Sequence, residues 1–242
     1  MSLVHRHRQR ALAAKLAAQV AADPGHVRPG VAASAYELER ARLGVDLRRL
    51  KEIQSIERKI DLKRELLPNY ADWVAGVLDA DSGAQDDILV QVMIWTIDVG
   101  AFDAALPLCR YVVNYELDLP DRFDRTAPTL ICEEIADAAL KSIGQGETFD
   151  LEVLWAVEEM VDGCDIFDQV RAKLQKAIGL LLVAKADHVE GASDGPAGAK
   201  RAALEKSRDY LRRALQLDSN AGVKKKLEQI DRDIAKLAAP ES

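Results

Sequence analysis

Leu43, Leu47, Leu50, Ile53, Ile56 and Ile60 recur at steps of three or four residues, a spacing that lays one apolar stripe along an α-helix. No proline interrupts residues 34–66, so the pattern predicts a single helix of about eight or nine turns, ~50 Å long at ~1.5 Å per residue. A stripe of that length calls for a partner helix. These six residues are therefore the expected oligomerisation seam. Upstream, residues 4–22 predict a short helix that ends in "DPGHVRPG", where Pro24, Gly25, Pro29 and Gly30 form a loop and leave an arm free to move independently. Downstream of Pro68, helices are expected near 86–98, 102–116, 129–143, 149–161, 166–186, 200–217 and 220–237. Breaks such as "DLPDRFDRTAP", "GQGETFD" and "EGASDGPAG" separate them.

β-branched alternation is nearly absent, so the fold class is all-α. The expected organisation is an N-terminal arm (1–33), the long helix (34–67), a helical-hairpin domain (68–190) and a C-terminal helical hairpin (191–242). Helices joined by short breaks pack as antiparallel hairpins. Two of them have tetratricopeptide-like character. In "VGAFDAALPLCRYVV", Gly100 permits a close turn, Phe102 opens the second helix, and Ala104 and Ala105 leave room for a neighbour. In "YLRRALQLDSNAGVKKKLEQIDRDI", Tyr210, Leu211, Ala214 and Leu215 form a stripe, and Asp218 or Ser219 is placed to cap the helix carrying Val223, Leu227 and Ile230. No strict 34-residue period recurs.

Charge changes this picture. The net charge is −7, yet residues 1–64 carry twice as many Lys/Arg as Asp/Glu, residues 200–236 are also basic, and residues 65–199 carry more than three times as many acids as bases. Both ends suit a polyanion and the middle repels one. Arg6, His7, Arg8, Arg10 and Lys15 on the arm are candidate DNA contacts. So are Arg48, Arg49, Lys51, Arg58, Lys59, Lys63 and Arg64 on the long helix, although a solvated coiled-coil face explains such a run equally well.

Candidate chemistry concentrates in "AQDDILVQVMIWTIDVGAFDAAL", which holds Asp86, Asp87, Asp98 and Asp103. Asp86 and Asp87 stand where a helix begins and suit capping. Asp87 and Asp98 lie about three turns apart, ~16 Å along one helix, too far to share one magnesium ion or an ordinary metal pair. The sequence has no G-x-x-x-x-G-K-[ST], H-E-x-x-H or G-x-S-x-G motif. Cys109, Cys132 and Cys164 are widely spaced and read as packing residues. His5 and His7 point about 200° apart on a helix, a poor chelating pair. His26 lies in a loop and His188 beside a helix end, where solvation is the default. Met93, Trp95 and Trp155 read as core. No metal and no cofactor is expected; Mg2+ enters only if the chain is a nuclease. No apolar run reaches the ~18 to 20 residues of a membrane span, and no signal-peptide pattern opens the chain.

The stretch "IERKIDLKRELLPNYADWVAGVLDADSGAQDDILVQVMIWTIDVGAFDAALPLCRYVV", followed by "VRAKLQKAIGLLL" and "RRALQLDSNAGVKKKLEQIDRDI", resembles the small, so-called endonuclease, subunit of terminase in peduovirus-type temperate tailed phages. The similarity runs in one order over residues 34–236. It implies a packaging role in the bacterial host cytoplasm: binding double-stranded phage DNA near its cohesive-end site and passing it to a large ATPase subunit. It also implies a homo-oligomeric ring of helical protomers. The family is described with endonuclease activity, but no nuclease motif transfers to these residues. Two alternatives remain, a subunit with its own metal-dependent nuclease and a tetratricopeptide-like protein-binding scaffold.

Overall fold

The computed structural model describes residues 3–23, 30–190 and 198–238, and every regular element among them is helical. The chain divides into two compact units, residues 1–127 and 128–242.

The first unit is built around α5 (Asp87–Asp98), in which all residues from Ile88 to Ile97 are buried. Such a helix has no solvent face, so its charges stand at its ends. α4 (Ala71–Ala80) and α6 (Phe102–Asn114) pack against it. Tyr70 meets Trp95 edge-on at 5.9 Å between ring centroids, and Tyr36 stacks on Trp73 at 5.8 Å. Gly100, at φ +78°, closes the α5–α6 turn as expected. Met93 and Trp95 lie in this core.

The expected continuous helix over 34–66 is two. α2 (Val31–Glu52) ends at Ile53, whose backbone is extended, and Ser55 caps α3 (Ile56–Leu66) by accepting from the Arg58 N–H. A serine at an N-cap offers the chain a new start that a hydrophobic repeat alone does not reveal. The stripe divides with it. Leu43 and Leu50 lie in the unit's own core, Leu47, Ile53 and Ile60 are half-buried, and Ile56 is 75% exposed. The length that called for a partner helix is therefore absent.

Nor is the N-terminal arm detached. α1 (Leu3–Ala22) packs along α4 with Ala13, Leu16 and Ala17 buried, and Gly76 lets the two backbones meet. A Cβ at Gly76 would lie 2.2 Å from the Arg10 carbonyl oxygen.

The second unit contains α7 (Ala127–Gly144), α8 (Leu151–Met160), α9 (Asp168–Glu190), α10 (Ala199–Leu217) and α11 (Lys224–Ala238). Gly179 of α9 receives α10 closely, and the Ser207 hydroxyl donates to the Gly179 carbonyl at 2.7 Å. Leu211 and Ala214 are fully buried, while the Tyr210 hydroxyl donates to Glu158 at 2.9 Å. α11 begins later than expected: Asp218 accepts from the Asn220 N–H in a local turn instead of capping the helix. Trp155 is half-buried, with the Lys206 ammonium 4.5 Å from its ring centroid.

Candidate nucleic-acid interface

A cation contributes to phosphate binding only insofar as it is not already neutralised by a carboxylate nearby. On α1, Arg6 donates to both oxygens of Asp72, at 3.0 and 3.2 Å, and Arg10 makes a two-pronged pair with Asp79. The hydrogen bond and the Arg10 charge hold the Asp79 carboxyl below the usual carboxylate range. His7, Arg8 and Lys15 are exposed and have no carboxylate partner among the described residues. Arg8 and Lys15 are seven residues apart and so share one face of α1. Between α1 and α2, the Gln9 amide donates to the buried Glu39 at 2.6 Å.

The cations of α2 and α3 sort in the same way. Arg49 pairs with Asp46 at 3.0 Å, Arg64 with Asp61 at 2.9 Å and Lys63 with Asp98 at 2.6 Å. Arg48, Lys51, Arg58 and Lys59 have no carboxylate partner among the described residues. The helix break at 53–55 separates Arg48 and Lys51 from Arg58 and Lys59, so these four form two patches instead of one continuous stripe.

In the second unit most of the basic segment is engaged. Arg201 pairs with Glu205, Lys236 with Asp233, Arg208 and Arg212 share Asp231, and Lys206 covers Trp155. Lys224, Lys225 and Lys226, at the start of α11, have no carboxylate partner among the described residues. Their run of three is the sequence signal for this patch, which lies outside the candidate DNA contacts expected on the arm and the long helix.

The acidic residues of 86–103 take other places. Asp86 is 5% exposed and caps α5, accepting from the Leu89 N–H at 2.8 Å and from the Trp73 indole N–H at 3.0 Å. Burial pushes its carboxyl above the usual range against the pull of these donors. Asp87 pairs with Arg40 at 3.2 Å, Asp98 with Lys63 at the far end of α5, and Asp103 lies in the first turn of α6. Asp86 and Asp98 are thus about 18 Å apart along the helix, and no three His, Cys, Asp or Glu side chains among the described residues are arranged to hold a metal ion. Burial raises the thiols of Cys109 and Cys132 to about 12, leaving them inert at neutral pH. His26 and the side chains of His5 and His188 lie outside what the structure describes. No helix among the described residues is long and apolar enough to cross a membrane.

Known proteins share these segments. The family model for the phage small terminase subunit matches residues 40–169. The chain is 40% identical over 240 residues to the "Terminase, endonuclease subunit" of Escherichia phage P2, covering 99% of this chain and 88% of that protein. It is 24% identical over 196 residues to the "Probable terminase, endonuclease subunit" of Haemophilus phage HP1, covering 80% of this chain and 68% of that protein. No solved structure matches.

Proposed function

Since this chain belongs to the phage small terminase subunits, with their role in DNA packaging, we propose that it binds double-stranded phage DNA at the cohesive-end site as a homo-oligomer and hands it to a large ATPase subunit. The observation that carries the proposal is the division of its cations. Arg8 and Lys15 on α1, and Arg48, Lys51, Arg58 and Lys59 on α2 and α3, are available for phosphate, whereas their neighbours are paired with carboxylates. Phosphate contacts of this kind set affinity and position.

Binding to a cohesive-end duplex over a salt series tests this. Replacing Arg8 and Lys15 by Ala should make the slope of log affinity against log salt less steep by about 0.9 for each phosphate no longer bound. An unchanged slope, or an equal change from Arg201→Ala and Arg212→Ala, would refute the assignment.

The name that the relatives carry favours a second reading, in which this chain itself cuts. Metal-assisted phosphodiester hydrolysis draws carboxylates together around ions about 3.5 to 4 Å apart. Here Asp86 is spent on a helix cap and Asp98 on Lys63. We therefore assign cutting to the assembled terminase. Incubating the small subunit alone with cognate DNA and Mg2+ or Mn2+ should give no site-specific product. Cutting that disappears in Asp86→Asn/Asp87→Asn with folding intact would reverse the assignment.

A further inference from the structure

Helix α2 is apolar on two sides. Its inward side carries Ala32, Leu43 and Leu50, but also two carboxylates, Glu39 and Asp46, which are 7% and 5% exposed. Glu39 accepts from Gln9, while Asp46 accepts from the Tyr70 hydroxyl at 2.7 Å and from Arg49. The outward side carries Val31, Leu38 and Val45, which are 65%, 70% and 47% exposed. Each apolar residue immediately precedes an inward-facing one, so the helix buries acids and shows Val and Leu to solvent. An isolated protomer gains nothing from that arrangement.

The interval between these residues is seven, the repeat of a helix-on-helix seam. Ser34 and Ala41 occupy the alternating positions of the seam, and both are small enough for a second backbone to approach. Val31 to Val45 spans about 21 Å, four helical turns. The other large hydrophobic residues exposed among the described ones, Val4, Ile56, Tyr115, Phe167 and Leu237, stand singly on their segments. Among the described residues, only α2 itself presents a matching repeat.

We propose that the Val31–Leu38–Val45 face of α2 packs against the same face of a second copy of this chain, with the two helices parallel. Charge favours this register. In a parallel seam the residue just before one core position faces the residue five further along on the other helix. That places Glu37 against Arg42 of the second copy, and the reverse by symmetry. The Glu37 side chain is 69% exposed with a 3.6 Å contact to Arg40, and Arg42 is 34% exposed, 3.7 Å from Glu39 and over the Tyr70 ring, so each has a long contact within its own protomer that the pairing would supplement. The seam ends where Arg48 takes the next core position. The proposal rests on the reading that the chain self-assembles and locates the contact on the side of α2 opposite to the one the Leu43 to Ile60 repeat suggested.

The test uses the full-length chain, with its mass measured by sedimentation across a concentration series. Leu38→Asp with Val45→Asp should weaken association at least tenfold while circular dichroism and melting stay those of the parent, because both side chains are already in solvent. Glu37→Arg should weaken it less. In a Cys164→Ser background, Val45→Cys should form a disulfide-linked dimer under mild oxidation, because a parallel seam sets residue 45 against residue 45 whereas an antiparallel one sets it against residue 31, about 21 Å away. If the parent chain is a monomer throughout, self-assembly and this interface fail together. If parent and double variant assemble alike, or Val45→Cys assembles without crosslinking, the parallel interface is wrong and self-assembly stands.

Discussion

Both basic ends of the chain dock on a neighbouring helix through a glycine, but the two crossings are built differently. α1 crosses α4 at Gly76, where the atom in the way of a side chain is the Arg10 carbonyl oxygen, part of a rigid backbone. α10 crosses α9 at Gly179, where the nearest atoms are the end of the Leu211 side chain, 2.7 Å from an added Cβ, with the Ser207 carbonyl oxygen at 3.3 Å. The first crossing is rimmed by exposed ion pairs, Arg6–Asp72 and Arg10–Asp79, and the second is locked by a buried Ser207–Gly179 hydrogen bond. The first leaves cations on its outer face for a polyanion, while the second has most of its cations occupied. Positive charge counted along a chain is therefore not the charge that a ligand meets.

The largest expected effect breaks the first crossing. Gly76→Ala must displace α1, because a carbonyl oxygen cannot rotate away, and the destabilisation in urea unfolding should reach or exceed the upper end of the ~1 to 3 kcal/mol range for overpacking. Gly179→Ala should cost near ~1 kcal/mol, since Leu211 has rotamers to adopt. Equal destabilisation at the two glycines would erase the distinction drawn between backbone and side-chain obstruction.

Next in size is the hydrogen bond at the second crossing. Ser207→Ala removes a buried donor and should cost ~1 kcal/mol in the same unfolding measurement, whereas Arg6→Ala, which breaks an exposed pair, should cost less. The reverse order would mean that the exposed Arg6–Asp72 pair contributes more than the buried Ser207–Gly179 hydrogen bond.

Acid acts in opposite directions on two carboxylates of the first unit. Because Arg10 depresses the Asp79 carboxyl, the pair contributes stability above the unfolded carboxylate value of about 3.9 and loses it as pH falls through the lower folded value. Asp86 has the opposite sign: its raised carboxyl penalises the ionised form, and protonation on acidification relieves that penalty. Cleavage within α1 by an acid-active protease should therefore rise below about pH 4 while α5 stays protected. Asp79→Asn should flatten that pH dependence; an unchanged profile would place the acid sensitivity elsewhere.

The smallest effect is at the two paired arginines of the C-terminal end. Arg201→Ala and Arg212→Ala should leave the salt slope of DNA binding within error, against the change of about 0.9 per phosphate expected for Arg8 or Lys15. A shift of equal size at both ends would show that ion pairing does not withdraw these arginines from phosphate.

Much of the fold was legible in the residues alone. The helices over 87–98 and 199–217 follow from apolar residues between Gly and Pro breaks, that over 102–114 follows from apolar spacing that continues through Pro107, and Asp86 was readable as a cap because the helix start and the side-chain chemistry are both local. The order of the family's segments is local information too, and it was enough to indicate a terminase small subunit. The break at 53–55 also has a local cause, Ser55, but five apolar residues in phase on either side, with Ile53 in phase inside it, outweigh it in the sequence pattern. What lay beyond reach was decided between helices distant in sequence. Whether Arg6 is free depends on Asp72, sixty-six residues away. Whether α1 is a loose arm depends on Gly76. Which side of α2 faces outward depends on Gln9 and Tyr70 donating to its two carboxylates inside. Periodicity shows that a helix has faces, but the direction each face takes is settled by the free energy of the surfaces available to meet it, and those exist only once the chain has folded.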